Sequence, residues 1–258
     1  MAIRVCLAGA TGWVGSERAR SIARRADITV VTAVLIAIPA LAHGQWIVSA
    51  YGGAMRTESS DVRIEADATN TSLVFEAMRF ESRSSESPIY YGYRIGHRVR
   101  GTRWLFVEAE VIHGKVYPRE PAATMGMGTL RGMSVSRVAF DAVVQDFNLS
   151  HGLNFILINA LARHLFANRR VTATARLGAG PVLPHVESLV DGDRREDYQW
   201  AGVGTQVSGG GELTIWRRLA VTAEYKWTHT RPRVSLARGD AMLTTSSHHI
   251  AIGLAAVF

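Results

Sequence analysis

The chain has 258 residues, enough for one large domain or two small ones. Lys and Arg outnumber Asp and Glu by 29 to 22, for a net charge of +7. The basic residues are scattered and no basic block is interleaved with aromatics, which argues against nucleic acid as a partner. The single cysteine, Cys6, excludes an intrachain disulfide and a cysteine-based zinc site.

The chain opens "IRVCLAGATGWVGS", a β-branched run followed by a glycine-rich turn. With the basic stretch and second apolar run that follow, this reads as strand, turn, helix, strand. Over about the first 34 residues it resembles the start of bacterial dihydrodipicolinate reductases, which implies a dinucleotide site. Such a domain needs further βαβ units and an acidic residue ending its second strand. "LIAIPALAHGQW" follows instead, so NAD is not expected, and a reductase fragment is the remote alternative.

The same segment also reads as an export leader. Arg18, Arg20, Arg24 and Arg25 supply a basic region, residues 28–39 an apolar run, and Ala40-Leu41-Ala42 a small-x-small cleavage pattern. The run is too short to cross a bilayer as a helix. Two parts are therefore expected: a leader, 1–42, and a folded domain, 43–258. Cleavage would remove five Arg, one Glu and one Asp, leaving about +4. An early start codon or a gene fusion would account for the atypical opening.

From Gln45 onward the period is two. "WLFVEAEVI" sets Leu105, Val107, Ala109 and Val111 opposite Glu108 and Glu110. "VTATARLGAG" sets Val171, Ala173, Ala175 and Leu177 opposite Thr172, Thr174 and Arg176. "LAVTAEYKW" sets Val221, Ala223, Tyr225 and Trp227 opposite Thr222, Glu224 and Lys226, and "HIAIGLAAVF" alternates likewise.

Tight basic turns at 100–102, 166–170 and 216–218 alternate with long polar segments around 55–87, 117–148, 187–197 and 230–246. Eight strands are expected, near 45–54, 88–99, 103–116, 151–165, 171–184, 198–215, 218–230 and 246–258. The first long segment should hold an extra hairpin, "VRIEA" with "LVFEAMRF". These features predict an all-β fold: an eight-stranded antiparallel transmembrane β-barrel with long extracellular loops, in a bacterial outer membrane. A soluble lipocalin-like barrel would place its apolar face inside; here the charged residues share the inner face.

Period-two assignment sends Arg94, Arg98, Arg176 and Lys226 inward together with Glu108, Glu110, Glu212 and Glu224. Four positive and four negative groups would fill a lumen too narrow for a wide channel. A structural ion-pair core is preferred over a proton or ion path, since an unpaired charge there is costly. The terminal Phe258 resembles the assembly signal of bacterial outer-membrane proteins, which makes the assembly machinery an expected partner. Tyr91, Tyr93, Trp104, Trp216, Tyr225 and Trp227 near strand ends suit interfacial girdles. A closed barrel of this size is expected to be a monomer.

Four stretches carry a second resemblance: "SPIYYGYRIGH", "VIHGKVY", "GLNFILINALARH" and "GAGPVLPHVE…YQWAGVGTQVSGGGE…AEYKW", in order along 87–228. As a set they resemble a family of small proteobacterial outer-membrane barrels known as lipid A oxidases. The resemblance implies oxygen-dependent oxidation of the proximal glucosamine of lipid A to aminogluconate in the outer leaflet. The chain departs from the family at Ser150-His151, where an acidic residue commonly precedes Gly-Leu-Asn.

The expected chemistry lies at the strand ends that carry long loops. His113, Lys115 and Tyr117 top the third strand, His185 and Glu187 share a face of the fifth, and Tyr198 begins the sixth. His185, Glu187 and His113 are the candidate catalytic residues, and Lys115, Tyr117 and Tyr198 the candidate substrate contacts. A His/Glu pair with a second His could hold a divalent metal, although a lone His-x-Glu is more often a plain loop-end pair. No metal set and no cofactor is assigned. Lys115 could meet a lipid phosphate. His229 and His248-His249 read as ordinary loop-end residues, and no Gly-x-Ser-x-Gly nucleophile setting is present. Two functions remain open: an enzyme acting on lipopolysaccharide, and a non-catalytic barrel with a structural or adhesive role.

Overall fold

The computed structural model describes residues 46–258, apart from 168 and 169. The leader, its cleavage site, Cys6 and the glycine-rich opening lie outside the described residues.

Fifteen strands follow in chain order: β1 (Trp46–Thr57), β2 (Ser60–Ala66), β3 (Thr71–Glu81), β4 (Tyr91–Arg98) and β5 (Leu105–Arg119), then β6 (Met125–Leu130), β7 (Met133–Ala139), β8 (Asp146–Leu165), β9 (Val171–Val190) and β10 (Asp193–Tyr198), then β11 (Val203–Trp216), β12 (Leu219–Thr230), β13 (Arg233–Ser235), β14 (Asp240–Leu243) and β15 (Thr245–Val257). Eight of them close a ring of antiparallel pairs, β9-β11-β12-β15-β1-β4-β5-β8, with β8 returning to β9. These are the eight strands expected from the alternation.

The alternation has a physical cause on each face. Outward positions carry Leu177, Ile252, Ile158 and Val107, between 51% and 67% exposed, a band that only lipid can cover. A closed ring leaves no unpaired strand edge, the condition for crossing a bilayer with strands. The molecule is an eight-stranded antiparallel barrel of the outer-membrane type.

Inside, three layers stack. Ile47, Phe106, Leu161 and Ala255 form an apolar layer at the short-turn end. Above it lie the buried charges, and above those Ile112, Phe155, Leu157 and Val182 resume an apolar core. In the charged layer Arg94 meets Glu110 at 2.8 Å and Glu224 at 2.5 Å, while Arg176 meets Glu108 at 2.9 Å and also pairs with Glu224. Lys226 lies 2.5 Å from Glu110 and donates to the Tyr51 hydroxyl at 2.8 Å. Asn159 and Gln206 donate to the same carboxylates. Apolar layers on both sides favour the structural reading of these charges over an ion path.

One expected member of this network is corrected. Arg98 has inward parity, but it ends β4 half-buried, and no ion pair of it is found among the described residues. Arg163 of β8 takes the eighth place, pairing with Glu212 below the main cluster.

The long loops also depart from expectation. The first hairpin forms as β2 and β3, and the other long segments are folded too. β13-β14-β2-β3-β6-β7 make an antiparallel sheet at the long-loop end. β3 also pairs with the top of β5, at Phe80 and Pro118. Val62, Ile64, Leu73, Phe75, Val234 and Leu243 bury one face of this sheet in the same core that fills the upper lumen. That core lets the barrel strands run beyond the bilayer: β8 starts at Asp146 and β9 reaches Val190.

Candidate functional site

The candidate residues have the outward parity of their strands above the lipid-facing band, but His113 and His185 are themselves buried, 5% and 9% exposed. Tyr91, His113, Asn154 and Leu183 form one cross-strand row over β4, β5, β8 and β9. The Tyr91 ring stacks on His113 at 4.8 Å and 15°. His113 Nδ1 is 2.9 Å from Asn154 Oδ1, and Asn154 Nδ2 donates to the Leu183 carbonyl at 3.1 Å. His113 is therefore fixed on two sides.

A bulge brings in further groups. Between Asn148 and Leu153 the pairing of β8 with β9 shifts register, and Gly152 adopts φ +123°. A Cβ at Gly152 would stand 2.6 Å from His113 Nδ1 and 2.4 Å from Asn154 Oδ1, so only glycine fits this approach. The bulge also turns the Ser150 hydroxyl onto the Glu187 carboxylate, to which it donates.

His185 and Glu187 share the outer face of β9, opposite Tyr198 and Glu196 of β10. Tyr198 meets the His185 ring edge-on at 4.6 Å. His185 Nδ1 lies 3.9 Å from Glu187 Oε1, and its Nε2 lies 4.0 Å from Glu196 Oε1. Ligand-capable atoms of His185, Glu187 and Glu196 all fall within 4.8 Å of one another. Such a set could hold a divalent cation, or could make His185 a proton acceptor between two carboxylates. Arg194 stands 3.7 Å from Glu187 and 3.5 Å from Glu196, limiting the negative charge there.

Lys115 and Tyr117 sit beside this group in a different setting from the one expected. Lys115 is buried and its ammonium is turned onto the Glu86 carbonyl, to which it donates at 3.1 Å, rather than toward a lipid phosphate. Tyr117 is half-buried under the Arg83 guanidinium, 4.3 Å from the ring. The one cation expected to orient a phosphate is thus closed off, while the exposed Arg83 lies over Tyr117 and the exposed Arg194 beside Glu187.

Glu196, Ser150, Asn154 and Tyr91 were absent from the sequence-derived site. "DRREDY" carried a signal, since pairing it antiparallel to "PHVESLV" places Glu196 opposite Glu187. A separate polar chain occupies the wall of β12 and β15: the Tyr225 hydroxyl is 2.6 Å from His248 Nδ1, and His248 Nε2 is 2.7 Å from Glu58.

No family model and no curated protein matches the chain. Among solved structures it is similar to surface protein A of Neisseria, at 11% identity and TM-score 0.38, over 84% of this chain and 98% of that one. It is also similar to the attachment invasion locus protein Ail of Yersinia pestis, at 10% identity and TM-score 0.37, over 83% and 99%. The outer membrane protease OmpT of Escherichia coli overlaps at 8% identity and TM-score 0.43, over 85% and 99%. Overlaps this loose carry nothing about function.

Proposed function

We propose that this outer-membrane barrel modifies lipid A, with His185 and its carboxylate neighbours on the outer wall as the reacting centre. The observation that carries the reading is position. A histidine between Glu187 and Glu196 sits just above the lipid-facing band, outside the barrel. A lipid headgroup in the outer leaflet reaches that level without entering the lumen. The motif resemblance supplies the reaction, oxidation of the proximal glucosamine to aminogluconate, with molecular oxygen as the acceptor of the two electrons. In that reaction His185 would take a proton from the sugar, or join Glu187 and Glu196 in holding a divalent cation that polarises the hydroxyl. His113, fixed by Tyr91 and Asn154, would bind the sugar beside it.

Mass spectrometry of lipid A from cells with and without the gene tests the reading. The aminogluconate species should appear only with the gene. Identical lipid A in both would leave the structural or adhesive barrel, the reading favoured by a lumen closed with apolar layers and by a folded sheet over the mouth.

A further inference from the structure

The two ends of the barrel differ in charge. At the short-turn end, Arg98, Arg100 and Arg103 border the β4–β5 turn, Arg217 and Arg218 form the β11–β12 turn, and Arg163 lines a cavity with Arg103, Arg217 and Arg218. The described side-chain carboxylate at this end is Glu212, buried and paired with Arg163. All other described side-chain carboxylates belong to the central lumen or to the long-loop end. Arg100, Arg103, Arg217 and Arg218 are exposed, and no ion pair to a carboxylate side chain is found for these four among the described residues.

Two further observations give this charge a level and a shape. Trp104 and Trp216, 56% and 67% exposed, mark the interfacial girdle beside the same turns, and the Arg217 guanidinium lies 5.6 Å from the Trp216 ring. Arg103, Arg163, Arg217 and Arg218 also line a cavity of about 510 Å³. Guanidinium groups at the edge of an aromatic girdle stand where phosphodiester headgroups lie, and their planar donors match phosphate oxygens.

We infer that the short-turn end is a binding collar for anionic glycerophospholipids of the leaflet it faces. Arg100, Arg103, Arg217 and Arg218 contact the headgroup phosphates, and Trp104 and Trp216 pack against the glycerol region. The collar lies at the opposite end from the proposed lipid A site and does not depend on it. It also gives the barrel a reason to hold one orientation and depth.

Native mass spectrometry of the protein purified from membranes, titrated with phosphatidylglycerol, phosphatidylcholine or inorganic phosphate, tests the inference. Phosphatidylglycerol should be retained at least about tenfold better than phosphatidylcholine, given four cations near the surface. The quadruple variant R100Q/R103Q/R217Q/R218Q should bring the two lipids to within about twofold, while R119Q/R238Q at the other end should leave the preference unchanged. If the quadruple variant fails to fold, R100Q/R103Q and R217Q/R218Q are measured separately and should each lose part of the preference. Equal retention of both lipids by the unaltered protein would overturn the inference. So would a preference that survives these substitutions, or arginine-dependent binding of phosphate without lipid selectivity.

Discussion

Arg94 on β4 reaches across the lumen to Glu224 on β12, Nη2 to Oε1 2.5 Å, and its guanidinium also serves Glu110 on neighbouring β5. One side chain thus ties the two halves of the ring in a space closed to water above and below. Arg94→Met should leave Glu110 and Glu224 short of a cation and destabilise the barrel by about 3–5 kcal/mol. Arg98→Gln should change stability by no more than about 0.5 kcal/mol. Urea unfolding in bilayers compares them, and equal losses would contradict the network.

The outward face gives the complementary prediction. Val107 faces lipid and its neighbour Glu108 faces the lumen. Val107→Arg places a charge against hydrocarbon at a cost of about 2–4 kcal/mol near the midplane. In the same unfolding assay, no loss for this variant would mean that the faces are inverted.

The eight barrel strands were legible because lipid and lumen each impose a composition on one face, and period two records both. Arg163 was legible too, by continuing the parity of Leu157 and Leu161, whereas Arg98 misled because parity says nothing of where a strand ends. The sheet over the mouth was mostly hidden. In β6 and β7, "MGMGTL" and "MSVSRVA", exposure follows no clean alternation, so composition alone resembles a polar loop. The site was half legible. His185 and Glu187 lie two residues apart on one strand, but Glu196 joins them only through the β9–β10 hairpin, and the Ser150 contact depends on a bulge.

Gly152 offers a test of the site that spares its polar residues. Gly152→Val demands φ +123° of a β-branched residue and drives a Cβ into His113 and Asn154, a strain of about 1–3 kcal/mol. The barrel should still show heat-modifiable migration on gels, while lipid A modification falls at least about tenfold, as displaced catalytic geometry implies. Full modification by the folded variant would remove His113 from the site.

Acid should open the sheet over the mouth and the β9–β10 hairpin before the barrel. A hydrogen bond from Arg195 holds the Asp197 carboxyl below its ordinary value of 3.8. At Asp240 burial works upward, but Arg233 and Ser235 hydrogen bonds prevail and lower it. A depressed carboxylate contributes stability that is complete above its unfolded value and is lost as pH falls through the folded one. Amide exchange in β10, β13 and β14 should therefore accelerate below about pH 4, beyond the intrinsic change, and D197N/D240N should flatten that dependence. Protection that stays constant down to pH 2 would contradict the assignment.

The most direct test of the proposed chemistry is the lipid A profile of cells carrying the His185→Ala, Glu187→Ala double variant, with folding verified by heat-modifiable migration. The account predicts loss of most aminogluconate product from a folded barrel, while Arg176→Gln, a lumen change, lowers folding more than it lowers product per folded molecule. Full product from the folded double variant would contradict it.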